Sequence, residues 1–435
     1  MGDLSISVRQ TKMMLDEYAE DQFKSLNYLI GECNYGGRVT DDKDRRYLLC
    51  VLADFYRHHI FDDNYALSAS GNYRCPPGDP TFEEIIEYIG NLPLTQLPEV
   101  FGLHDNADIT KDQQETNYFC ETLLSTESAS SGGGGGSGNS AEEILDNLAA
   151  EILSKVPQSF DRDRALKKFP IRFDESMNTV LAQELIRFNA LTDAVRSSLT
   201  GLRKAIKGLV LMSMDLEEVG SSLRNGKVPA GWAKKSYPSL KPLAGYISDF
   251  LARLSFMQSW LEKGQPAMFW MSGFFFVHAF MTGGMQNYAR KKSIPVDTLN
   301  FEHLMMTGNE YAHAPEDGVY VYGLFCEAGR WDKTKGSLEE SEPKVLFSAM
   351  PIIWFNPKEQ PPPNSLWKEE DLDADGKPIS VGYYCCPLYN TSARRGVLAT
   401  TGHSSNYVCP IIIPTSKAQS HWIKRGTALL MQLDD

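Results

Sequence analysis

The sequence predicts an α+β protein in which a helical bundle is followed by a domain of helices plus a small β-barrel. Three observations carry this reading. Apolar residues recur every three or four positions from Ser5 to about Leu124, and again from Ala141 to about Ala289. The run STESASSGGGGGSGNS at 125–140, which has almost nothing to bury, separates the two stretches. After Pro295 the period changes to short β-branched and aromatic runs broken by Gly, Pro, Asn and Asp.

In the first stretch, Phe23-Leu26-Leu29-Ile30 and Tyr47-Leu48-Val51-Leu52-Phe55 each fall on one face of a helix. The loop Cys33 to Asp42 leads into the second of these, with Thr40 or Asp41 placed as its N-cap. Asp79-Pro80-Thr81 followed by Glu83-Glu84 starts another helix, with acids in its first turn, and Gly90-Asn91 ends it. Beyond the glycine run, Ala141 to Val156 is helical. A long amphipathic run then carries Met177, Leu181, Leu185, Phe188, Val195, Leu199, Leu202, Leu209, Leu216 and Leu223. Its spacing is compatible with a coiled coil, but Gly201, Gly208 and Gly220 interrupt it and favour packed bundle helices. Further helices are expected over about Leu240–Leu261 and Phe274–Ala289. Strands are expected at Thr298–Asn300, Val319–Phe325, Lys344–Phe347, Ile352–Phe355, Val381–Cys385, Tyr407–Ile413 and Ala428–Leu433, at a spacing that suggests a small barrel or sandwich.

Charge excludes some partners. Residues 1–127 carry 23 acidic and 10 basic side chains while 128–435 carry 33 of each, so the whole net charge of −13 lies in the first segment. Long-range repulsion argues against direct binding to nucleic acid, to anionic membrane or to the acidic face of a microtubule. The eight cysteines form no CxxC pair and are read as reduced thiols. The start lacks a secretory pattern, and the apolar run Met268–Met281 is too short to span a bilayer, so a cytoplasmic-side protein is expected.

The search for chemistry finds imperfect motifs. Gly133 to Ser140 reads G-x-x-x-x-G-N-S, but Asn139 stands where a phosphate-binding loop needs lysine and no apolar strand precedes it. Asp371, Asp373, Asp375 and Gly376 match the first half of a calcium loop, but Gly382 replaces its chelating glutamate. His58 and His59 face different directions on a helix, and His278 in its apolar run reads as a core histidine. No catalytic, cofactor or metal residue is therefore assigned. Two stretches stand out instead as contact surfaces. One is the loop and helix start with Gly36, Gly37, Arg38, Asp41, Asp42, Arg45 and Arg46. The other is the aromatic stretch Pro266–Tyr288 with Phe269, Trp270 and Phe274.

Five strings go further: GECNYGGRVTDDKDRR (31–46), PEVFGLHDNADITKDQQET (98–116), FWMSGFFFVHAFMTGGMQNYARKKSIPVDTL (269–299), VYGLFCEAGRWD (321–332) and HWIKRGTALLMQLDD (421–435). In order and spacing they resemble the carboxy-terminal end of dynein heavy chains, of the axonemal type and more specifically an inner-arm one. The resemblance covers nearly all of the sequence apart from the glycine run. Lys43 departs from it, since the family usually has tryptophan there. The resemblance implies that 1–127 is the helical small subdomain of the sixth AAA+ module, 128–140 a Gly/Ser linker, 141–296 the helical part of the C-terminal domain and 297–435 its β-barrel part.

It further implies a structural and regulatory piece of an ATP-driven, minus-end-directed microtubule motor of cilia and flagella. This piece would do no catalysis, ATP and magnesium being held elsewhere in the parent protein. Its partners would be the other AAA+ modules of the same heavy chain, with intermediate and light chains and microtubules reached through the parent, and neither nucleic acid nor membrane. The rival readings are an independent ATPase using Gly133–Ser140 with Arg38 as a finger, and a stand-alone microtubule-binding module.

Overall fold

The computed structural model describes residues 22–35, 38–39, 41–56, 60, 62, 65–68, 70–74, 80–130, 141–360, 380–394 and 405–434. The first helix, α1 (Gln22–Tyr28), runs into a π-helical turn, Leu29–Asn34, and buries Leu26 and Ile30. Helix α2 (Asp42–Phe55) starts where Asp41 accepts the amides of Lys43 at 2.8 Å and Asp44 at 3.3 Å, which satisfies two of the donors a helix start leaves open. Helix α3 (Phe82–Gly90) has a reciprocal cap, with Thr81 bonded to the Glu84 amide and Glu84 returning to the Thr81 amide. Helix α4 (Asn106–Ser130) continues into the segment read as linker, and threonine hydroxyls at 110, 116, 122 and 126 bond carbonyls one turn back along it.

The second stretch supplies α5 (Ala141–Lys155), α6 (Arg162–Lys168), α7 (Ser176–Ile206), α8 (Met214–Arg224), α9 (Ala230–Ala233), α10 (Leu243–Lys263) and α11 (Val277–Lys292). Helix α7 is the axis of this part. Met177, Leu181, Leu185, Phe188, Leu191, Val195, Leu199 and Leu202 are all buried along it, each contributing about 1.5–3 kcal/mol of apolar burial. Gly208, at φ +71°, caps it in the left-handed conformation that glycine takes without steric cost. The amphipathic run is thus two helices, and Leu209 between them lies in solvent.

Strand β1 (Met268–Trp270) precedes α11; the remaining strands follow it. They are β2 (Leu299–Met305), β3 (Val319–Tyr322), β4 (Phe325–Glu327), β5 (Arg330–Asp332), β6 (Ser337–Glu339), β7 (Phe347–Ala349), β8 (Ile353–Glu359), β9 (Tyr383–Tyr389), β10 (Tyr407–Pro414) and, after helix α12 (Gln419–Lys424), β11 (Ala428–Leu430). The sheet orders are β1-β3-β8-β2, β10-β9-β11-β4-β7 and β5-β6. The expected run Val319–Phe325 is two strands, because Gly323 turns at φ +84° with the Trp270 indole so close that a Cβ would lie 2.6 Å from it.

The α+β class is observed, but no closed barrel is found among the described residues. Edge strands β2 and β10 belong to different sheets. The Ile412 amide donates to His303 Nδ1 at 3.4 Å, so a side chain stands where closure would require a backbone ladder. Helices and strands instead share one apolar core, with members from Leu145 to Met431.

Candidate interface between the helical segment and the C-terminal strands

Helix α2 places Arg46 against β9. It is the one fully buried residue of that helix among those described, with Tyr47 and Cys50 partly buried against the core beside it. Its Nη1 donates to the Cys385 carbonyl at 3.1 Å and its Nη2 to the Tyr384 hydroxyl at 3.4 Å. That hydroxyl in turn donates to the Thr427 carbonyl at 2.8 Å, so one guanidinium ties α2 to both β9 and the residue ahead of β11. Burial raises the Tyr384 phenol well above its ordinary value against the pull of Arg46, which keeps it a neutral donor. Charge-assisted bonds of this buried kind contribute about 1.5–3 kcal/mol.

Lys43, the departure from the family pattern, lies with its ammonium 5.2 Å from the Tyr407 ring centre. Burial, and then Arg46, lower its ammonium below the ordinary value. Toward the other end of α2, Asp54 pairs with Lys424 of α12 at 2.7 Å, a half-exposed contact worth at most about 1 kcal/mol.

A second knot lies where α12 ends. Arg425 Nη1 is 2.9 Å from His104 Nε2 and 2.6 Å from Glu340, while its Nε donates to His421 Nε2 at 3.0 Å. His421 Nε2 also lies 2.8 Å from Glu340 Oε1. Burial foremost, with Arg425 adding to it, lowers the His104 imidazole. Burial also lowers His421, against the Glu340 hydrogen bond.

The other residues singled out from the sequence fall elsewhere. Gly36 and Gly37 lie outside the described residues, as do Thr40, His58, His59, Gly133–Ser140 and Asp371–Gly376. Arg38 is exposed, and its amide donates to the Tyr35 carbonyl at 2.8 Å. Arg45 stays within the helical segment, 3.7 Å from Glu32 and bonded to the Val39 carbonyl. Asp42 is exposed and, with Glu32, Lys43, Arg45, Arg46, Leu49 and Cys385, lines a cleft of about 270 Å³.

Phe269 and Phe274 are buried inside the protein's own core, 4.9 Å and 4.5 Å from the Phe280 ring centre. Trp270 is half-buried, 6.3 Å from Phe256. Contrary to the reading of a core histidine, His278 is exposed, because Val277, Phe280 and Met281 take the inward face of α11.

Other buried groups had no local signal. Glu184 on α7 accepts the amides of Phe275 at 2.6 Å and Phe276 at 3.1 Å, holding the entry of α11. Burial raises its carboxyl against these bonds and against Arg187 and Arg253. His104, Lys424 and Arg425 also escaped the search for chemistry, although they stand in two of the strings that carry the family resemblance. Among the described residues no group of three or more His, Cys, Asp or Glu is placed to hold a metal ion, and no helix is long and apolar enough to cross a membrane.

Comparison with known proteins agrees with these strings. Residues 1–107 match the family described as the AAA lid domain of the dynein heavy chain, and residues 113–431 match the family described as its C-terminal domain. Over all 435 residues the sequence is 50% identical to human dynein axonemal heavy chain 12, of which it covers 14%. It is 52% identical to mouse dynein axonemal heavy chain 3, of which it covers 10%, and 45% identical to human dynein axonemal heavy chain 1, of which it also covers 10%. The protein thus spans only 10% to 14% of the length of these relatives. With a lid at one end, a C-terminal domain over most of its length, and the two joined through Arg46 and Arg425, the protein belongs to the dynein heavy chain family and corresponds to its C-terminal region.

Proposed function

We propose that this protein is the structural and regulatory end of an axonemal, minus-end-directed microtubule motor, and that it performs no catalysis itself. Residues 1–127 serve as the small subdomain of the sixth AAA+ module, 128–140 as linker, and 141–296 and 297–435 as the helical and strand-rich parts of the C-terminal domain. ATP and magnesium are held by other modules of the same heavy chain. Intermediate and light chains and the microtubule are reached through that parent, whose place is the ciliary or flagellar axoneme.

The observation that supports this reading is an uncovered apolar face. On α3, Phe82 is 72% exposed and Ile85, Ile86 and Ile89 are exposed beside it, at the spacing of one helix face. The loop between α7 and α8 repeats the feature with Leu209, Val210, Leu211 and Met212, continued by Met214 at the start of α8. Apolar surface of this kind marks a contact site, and the relatives have most of their length in which to supply the cover.

The test has two arms. The purified protein is expected to show no saturable ATP hydrolysis and to stay in the supernatant with microtubules. In a complete heavy chain, Ile86→Asp with Ile89→Asp is expected to loosen the AAA+ ring, seen as accelerated proteolysis and reduced ATPase. Saturable hydrolysis by the isolated protein, abolished by changing one of its own side chains, would overturn the proposal, as would an unaltered motor in the second arm.

A further inference from the structure

We propose that His104 and Arg425 form a proton-sensitive clasp, which holds the helical segment against the C-terminal strands while the imidazole is neutral and lets go on acidification. The geometry is specific. Both ring nitrogens of His104 face donors: the Asn106 amide lies 3.1 Å from Nδ1, and Arg425 Nη1 lies 2.9 Å from Nε2. A neutral imidazole offers one lone pair, for which the two donors compete, whereas an imidazolium offers none and carries two N–H groups. Protonation therefore removes the acceptor and places a second positive charge 2.9 Å from a guanidinium.

The surrounding charges come from four places. Asp105 stands on the same turn as His104, Glu340 follows β6, Arg425 and His421 belong to the end of α12, and Lys417 precedes that helix and faces His421. Asp105 and Glu340 favour the charged ring, while burial and Arg425 disfavour it and prevail. His421 acts in the same direction. Its Nε2 accepts from Arg425 when neutral, and when protonated it donates to Glu340 instead, 2.8 Å away, which withdraws a second acceptor from Arg425.

Arg46 keeps its charge across the same pH range, so its bond to the Cys385 carbonyl persists. The seam then opens from the His104 end and stays attached at Arg46. Closure is favoured by the neutral rings, so it is complete above their ordinary range and is lost as pH falls.

Hydrogen exchange on the full-length protein at pH 7.5 and 5.5, corrected for intrinsic rates, tests the clasp. Amides in 98–108 and 419–430 are expected to lose protection by at least about fivefold on acidification in the wild type, while those of α7 do not change. In His104→Gln, whose amide oxygen accepts from Arg425 without titrating, this loss is expected to shrink to the smaller part that His421 alone supplies. An equal loss in both proteins, or none in the wild type, overturns the clasp. Should His104→Gln be open at both pH values, NMR of the labelled imidazoles in the wild type decides. Opening that tracks protonation of His104 supports the proposal, and opening while His104 is still neutral refutes it.

Discussion

His303 offers the sharpest test of how the two sheets meet. Its ring is buried on β2, accepts the Ile412 amide at 3.4 Å and stands edge-on to Phe355 at 4.8 Å. Burial pushes its imidazole from 6.5 down to about 3. The folded protein therefore prefers the neutral ring, while the unfolded polypeptide is free to charge it. The stabilising contribution is complete above about 6.5 and is lost as pH falls toward 3.

At one unit per about 1.4 kcal/mol, the unfolded ring's charging between pH 8 and pH 5 lowers stability by about 2 kcal/mol, and by about 5 kcal/mol at pH 3. His303→Gln keeps an oxygen for the Ile412 amide and removes the titration. The ring contact with Phe355 costs about 0.5–1.5 kcal/mol at either pH and cancels in the comparison. Urea unfolding at pH 8 and pH 5 should show the wild type losing about 2 kcal/mol more than the variant. Equal losses, within about 0.5 kcal/mol, would show that the ring is reached by water and that the sheets do not close on it.

Phe274→Ala empties the ring cluster of Phe256, Trp260, Phe269 and Phe280 and should cost about 3–5 kcal/mol in denaturant unfolding; an unchanged midpoint would mean the cluster is not core. Arg46→Met, which keeps bulk but loses the Cys385 and Tyr384 bonds, should release α2 by about 1.5–3 kcal/mol, read as faster amide exchange in that helix alone. Glu184→Gln should be costlier in acid than in alkali. The raised carboxyl contributes stability below its ordinary value that fades as pH rises through the folded one, and a pH-independent cost would contradict the burial. Native thiol labelling read by mass spectrometry should find Cys33 and Cys120 fast and Cys326, Cys386 and Cys409 slow, since burial pushes the first and last of the slow three up to about 12; rapid labelling of Cys386 would place β9 in solvent.

What could be read in advance follows the range of each interaction. The helix face of α7 and the start of α3 are written within a few residues, so periodicity sufficed for the first and Asp79-Pro80-Thr81 followed by acids for the second, while the reciprocal Thr81/Glu84 cap emerged only in the structure. The three-residue strands β5 and β6 are too short to show a period, and β1 sits within an aromatic stretch that reads equally well as helix. The barrel failed for a related reason. Alternation along a strand says which faces are buried, but not which edge strands pair, and here the His303 side chain stands between edge strands β2 and β10.

The seam was illegible as chemistry because Arg46 and Cys385 stand 339 residues apart, and His104 and Arg425 stand 321 apart. Nothing local marks one buried arginine among the three basic residues of Lys43-Asp44-Arg45-Arg46. The strings that carry the family resemblance did contain Arg46, His104 and Arg425, since whole strings encode contacts that single motifs cannot.

The two faces of the helical segment are inverted relative to a free-standing bundle. Toward the C-terminal strands it presents mainly polar groups, Arg46, Lys43, Asp54 and His104, with Tyr47 and Cys50 partly buried among them, while Phe82, Ile86 and Ile89 face solvent. Polar contacts of this kind are individually worth about 1–3 kcal/mol and respond to charge, whereas apolar cover is stronger and indifferent to it. A segment held by its apolar side to one body and by its charged side to another follows the first and adjusts against the second. The helical segment is coupled to the C-terminal strands through Arg46 and Arg425. The strength of that coupling is then set by two guanidinium groups and the imidazoles around one of them, without altering the core.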